Sequence, residues 1–181
     1  MAATREDLSQ FLELPQCECL NASKEHPLAH AIGIEAREDP GSFLQSDCDE
    51  ELMIHLKFMS AVKISALQIE SPLREKAPSS MRLFINKARR APPSPFERLT
   101  PLHVRCAEGL PTGLLDTNPL WSQNVTHLSI FIGANQGGGD ETAISKLLIL
   151  GDQVVQSGLK RTAEQQAAST KGDWLGGKSL G

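Results

Sequence analysis

Residues 52–58, LMIHLKF, alternate strictly. Leu52, Ile54, Leu56 and Phe58 fall on one face, and His55 and Lys57 on the other. A period of two marks a half-buried β-strand. The next run, VKISALQIES, puts Val62, Ile64 and Ala66 on one face before Leu67 and Ile69 fall out of phase. That slip predicts a bulge or a strand buried on both sides. The same reading gives strands at MRLFINK (Met81, Leu83, Ile85), LHVRC (Leu102, Val104, Cys106) and HLSIFIG (Leu128, Ile130, Ile132). A more uniformly apolar run, AISKLLILG, closes the series.

Proline- and glycine-rich stretches separate the runs: Pro72 to Pro78, APPSPFERLTP (91–101) and GLPTGLLDTNP (109–119). A short helix is expected at REDLSQFLEL (5–14), and no long stretch of period 3.6 follows it. Short strands with turn-rich spacers predict an all-β chain, an antiparallel β-sandwich or jelly roll. The expected organisation is an N-terminal extension over 1–15, one domain over 16–155 and a tail over 156–181. The tail is rich in Gly, Ser, Ala, Gln and Lys, too polar to offset its ordering entropy, and is expected to be disordered. Trp174 is a candidate docking anchor within it.

Composition narrows the core and the partners. Aromatics make up 4% of the chain and Tyr is absent, so Leu, Ile and Val must fill most of the interior. Few aromatics and a pI near 5.7 disfavour nucleic-acid binding. Residues 1–51 hold 3 Lys/Arg against 12 Asp/Glu, whereas residues 52–110 hold 10 against 4. An acidic and a basic segment in one domain attract each other or face different partners. No run approaches the roughly 20 apolar residues of a membrane helix. The opening MAATREDLSQFLELPQ has early acids and no apolar signal core, so the expected setting is intracellular with reduced thiols.

Candidate chemistry is sparse. Asp47, Cys48, Asp49, Glu50 and Glu51 cluster before the first strong strand. Counted from Asp47, a calcium loop would need Gly at position 52 and Glu at position 58, where Leu52 and Phe58 stand. Acids here suit a turn and discourage edge-to-edge aggregation. Cys17 and Cys19 form C-x-C, and no C-x-x-C exists, which removes a thioredoxin-type dithiol. Cys106 reads as a small buried hydrophobe. His26 and His30 lie four apart, but Pro27 weakens a helical pairing. GANQGGGDET (133–142) lacks the P-loop pattern and predicts a hairpin loop. NAS (21–23) and NVT (124–126) match the glycosylation sequon, as chance matches in an intracellular chain. Lys87, Arg89, Arg90 and Arg98 make a proline-broken basic loop.

One family unites these segments. QCECLN (16–21), LQSDCDEELMIHLKF (44–58), VKISALQIESP (62–72), MRLFIN (81–86), QNVTHLSIFIGANQG (123–137) and ETAISKLLILG (141–151) resemble the PITH domain, the proteasome-interacting module of certain thioredoxin-like proteins. The resemblance implies a galactose-binding-like jelly roll and a non-catalytic role, docking to the 26S proteasome at its regulatory particle. The expected protein is a stand-alone, monomeric member without the thioredoxin domain, in cytoplasm and nucleus, with no cofactor, metal, membrane or nucleic-acid partner. Asp47, Asp49, Glu50, Arg89, Arg90 and Trp174 are the candidate partner contacts. The chain departs from the family pattern at Ser122, where an aromatic usually stands, at Leu147, Leu148 and Leu150, and at Pro95 before Phe96. Two rival readings carry different functions: a carbohydrate-binding jelly roll, and a thiol-dependent redox protein using Cys48 or the C-x-C pair.

Overall fold

A computed structural model describes residues 6–86, 102–105, 112–116 and 123–154. In chain order the strands are β1 (Glu6–Asp7), β2 (Glu18–Leu20), β3 (Leu44–Gln45), β4 (Leu52–Glu70), β5 (Pro78–Ile85), β6 (Leu102–Arg105), β7 (Thr112–Asp116), β8 (Val125–Asn135), β9 (Ala143–Ile144) and β10 (Lys146–Gln153). One four-residue α-helix, α1 (Ala29–Ile32), lies between β2 and β3. The protein is an antiparallel β-sandwich, with every strand pair antiparallel among the described residues.

The two runs read as separate strands, LMIHLKF and VKISALQIES, are one 19-residue strand. Its first half pairs with β2 on one side and β8 on the other; its second half pairs with β7 and β10. The halves join through an irregular corner. Lys57 pairs with His127 and Val62 with Val125, so five steps on β4 face two on β8. Met59 and Ser60 bulge out to solvent there. The out-of-phase Leu67 follows a second bulge, where Ala66 faces Leu150 but Ile64 faces Gly151. Both Ala66 and Leu67 are buried.

Bending of β4 follows from bonds at its ends. The Thr142 hydroxyl donates to Glu50 O at 2.7 Å, and Ser145 N donates to Glu70 O at 2.8 Å. Twenty residues of straight strand would span roughly 65 Å, whereas the three steps from Thr142 to Ser145 reach about 11 Å at most. The strand therefore curls across the sandwich, and residues 142–145 close it like a clasp. Buried Thr142 N also donates to Ser46 Oγ, beside the β3–β9 pair.

Between the layers lies an aliphatic core that includes Leu52, Ile54, Leu56, Ile64, Leu128, Ile130, Leu147 and Ile149. Phe58 is the aromatic member, 2% exposed, so branched aliphatics do fill the interior.

Three expectations change. In the segment expected as a helix over 5–14, the described residues form β1 and a four-residue 3-10 helix, Leu8–Phe11, capped by Asp7, with buried Leu8 and Leu12 anchoring it. The spacer GLPTGLLDTNP contains β7. GANQGGGDET is no hairpin loop, because β8 and β10 pair with opposite halves of β4 and the segment crosses between layers. The tail and the loop carrying Lys87, Arg89, Arg90 and Arg98 lie outside the described residues, as does Cys106.

Candidate interaction surface

The acidic cluster is a turn held by one asparagine. Asn21 follows β2 in the left-handed region, φ 64°, which Asn tolerates better than most residues. Its Nδ2 donates to Asp49 O (3.2 Å), Asp49 Oδ1 (2.6 Å) and Glu51 O (2.7 Å), and its Oδ1 accepts from Cys48 N (3.0 Å). Its backbone carbonyl accepts from Asp47 N at 2.9 Å. Asp49 Oδ1 also accepts from Glu51 N. Asp47, Asp49 and Glu51 are exposed and Glu50 is half-buried. The structure thus brings the three candidate acids of the turn together on one pinned loop. Arg89, Arg90 and Trp174 lie outside the described residues.

Two further asparagines work the same way. Asn86 (φ 53°) bonds Asn124 O, Thr126 N and Thr126 Oγ1, tying the end of β5 to the start of β8. Asn135 bonds Gly139 O, Glu141 O and Gly139 N, folding the glycine loop onto itself. QCECLN, MRLFIN and GANQG each contribute one such latch, so these motif asparagines hold turns. The amide of Asn21 within NAS is fully engaged.

The glycine loop borders an open polar depression of about 320 Å³ lined by Glu75, Lys76, Asn135, Gly137, Gly139, Asp140 and Glu141. It is no phosphate cradle. Gly137 N already donates to Glu75 O and Gly139 N to Asn135, while Lys76 is ion-paired with Glu141.

Thiols and imidazoles sit in structural settings. Cys17 and Cys19 pack against the core, and burial, aided by the charge of Glu18, pushes the Cys19 thiol up to about 12. Cys48 is exposed on the acidic turn. His26 stacks on Phe43 with centroids 4.0 Å apart, and His30 Nδ1 lies 3.3 Å from Phe43 O. No group of three or more His, Cys, Asp or Glu is placed to hold a metal among the described residues. No helix among them is long and apolar enough to cross a membrane.

The PITH domain family model matches residues 1–168. The chain belongs to the PITH domain family. It is 34% identical over 158 residues to thioredoxin-like protein 1 of Schizosaccharomyces pombe, covering 83% of this chain and 52% of that protein. It thus spans about half the length of that relative. It is 30% identical over 154 residues to human PITH domain-containing protein 1, covering 78% of this chain and 67% of the relative. Among solved structures, the family 32 carbohydrate-binding module of C. perfringens NanJ, in complex with galactose, superposes with TM-score 0.56 at 9% identity, covering 81% of this chain and 98% of that one. The lectin domain of lectinolysin, complexed with Lewis B antigen, gives 0.57 at 7%, covering 80% and 95%. At such identities the likeness establishes the galactose-binding-like jelly roll of this PITH domain and nothing about ligands.

The asparagine latches escaped the sequence reading because their partners are remote. Asn21 and Asp49 are 28 positions apart. For Asn86 the available signal was Asn at the end of the alternating run MRLFI, a residue suited to left-handed turns.

Proposed function

We propose that this protein is a non-catalytic interaction module that docks on the regulatory particle of the 26S proteasome, in cytoplasm and nucleus. The observation that carries the reading is family membership over nearly the whole chain, PITH domains being proteasome-associated modules. The pinned turn fits the role. Its backbone is fixed before any partner arrives, so presenting Asp47, Asp49 and Glu50 carries little ordering cost. Arg89, Arg90 and Trp174 are proposed as further contacts. Co-sedimentation of the purified full chain with 26S proteasomes tests the proposal. Association at micromolar concentration supports it, and none overturns it. Repeating the measurement with a chain ending at Gln156 assigns the share of the tail.

The fold likeness to sugar-binding modules motivates one parallel measurement, a glycan array, on which this reading expects no hit. A thiol mechanism is disfavoured by the high pKa of Cys19, which keeps that sulfur protonated at neutral pH.

A further inference from the structure

The outward face of the β2–β4–β8–β5 layer breaks the rule that one side of an antiparallel sheet is polar. Register places Leu20 opposite Met53, Met53 opposite Phe131, and Phe131 opposite Arg82. All four lie on the face opposite the core residues Ile54, Ile130 and Leu83. Leu20 is 54% exposed, and Met53 and Phe131 are partly exposed. In a chain with six Phe and no Tyr, an aromatic on the solvent side is a scarce residue placed where the core gains nothing from it. The exposed Arg82 guanidinium lies over the Phe131 ring, 4.6 Å from its centroid, and has no carboxylate partner among the described residues. Arginine stacked on an aromatic beside apolar neighbours has the composition of an interface hot spot.

The geometry points to this stripe as the apolar centre of the docking surface, taking a protein segment whose apolar side chains are flanked by an Asp or Glu. Charge chooses that occupant. Arg82, without a carboxylate partner among the described residues, ends the apolar run on the side of β6, where it faces His103, and a carboxylate over it would complete a stacked, bidentate-capable pair. The acidic turn borders the other end, because Asn21 follows Leu20 and Glu51 lies two residues before Met53. A segment acidic at one end and basic at the other therefore binds in one direction. Four strands at about 4.8 Å spacing make a stripe roughly 14 Å long, shorter than the edge of a face of ~800 Å², the area each partner gives to a stable interface. The stripe is the centre of a wider contact with a larger body.

This inference rests on the proteasome reading, and the test separates the two. Leu20→Asp and Arg82→Glu alter exposed side chains, and both variants are expected to keep the wild-type circular dichroism spectrum and melting temperature. In co-sedimentation with purified 26S proteasomes each should weaken association at least tenfold, with Arg82→Gln weaker in effect than Arg82→Glu. Wild-type binding with unchanged binding by both variants overturns the stripe and leaves the proteasome reading standing. Failure of the wild type to bind overturns both. A wild-type dimer in sedimentation velocity that Leu20→Asp converts to monomer assigns the stripe to a second copy and overturns the inference. Retention on immobilised galactose that Arg82→Glu abolishes assigns it to sugar, with the same result.

Discussion

Asn21 grips Asp49 at two atoms, its Nδ2 lying 3.2 Å from the backbone oxygen and 2.6 Å from Oδ1. The same amide bonds Glu51 O and Cys48 N, so one side chain organises the turn that delivers the chain into β4. Asn21→Ala should cost about 1–3 kcal/mol, from unpaired turn groups and the left-handed backbone. Asn21→Gly restores the backbone freedom but not the bonds, and should fall between the two. Urea midpoints rank the three proteins, and faster amide exchange confined to residues 47–51 would locate the damage.

Gly151 lies at the bulge where Ile64 is its partner. A Cβ built there would stand 2.0 Å from Lys63 O, a backbone atom that cannot swing away. Gly151→Ala should destabilise by about 1–3 kcal/mol or more, as overpacking does. Thermal melts check it. An unchanged melting temperature would mean the bulge is not formed in solution.

Asp7 caps the first 3-10 helix and pairs with Arg37, whose side chain is 8% exposed. Burial alone would raise its pKa, but the bonds from Ser9 and Arg37 outweigh burial and hold it below the ordinary 3.8. The folded state then binds this proton less readily than the unfolded chain. Its stabilisation is complete above about pH 4 and drains away as pH falls toward the depressed value. Asp7→Asn should flatten that part of the acid limb and cost about 1 kcal/mol at neutral pH, the scale of a partly solvated pair. Stability curves between pH 2.5 and 7 read both effects.

Alkylation should discriminate among the described thiols. Cys48 is exposed and should label first with iodoacetamide at pH 7.5, whereas Cys19, at about 12, should label last in the folded state and readily in urea. Timed mass spectrometry of peptides gives the order. Rapid labelling of Cys19 in the folded protein would restore the redox reading.

Alternation made the core strands readable, since Leu52, Ile54 and Leu56, or Leu128, Ile130 and Ile132, each show period two over enough residues to register. Strands β1, β2 and β3 are two or three residues long and have no period to show. Strand β7 hides among Pro and Gly because its existence depends on pairing with β4, not on its own pattern. The union of two runs into β4 was illegible because Met59 and Ser60 interrupt the alternation at the corner. Of the candidate surface, the acidic turn was visible as composition. The stripe was not, because Leu20, Met53, Phe131 and Arg82 come from four segments that only register aligns.

Strand β4 belongs to both layers, and Thr142 and Ser145 fasten its two ends to neighbouring points. Neither layer owns a complete set of strands, so neither has a boundary along which it can part and persist alone. Peeling one sheet away removes half of β4 and opens the clasp. The domain should therefore unfold as a single block, with amides on both layers losing protection together. Load carried by β4 itself passes along one covalent backbone from one sheet to the other, with no hydrogen-bonded seam between them to shear.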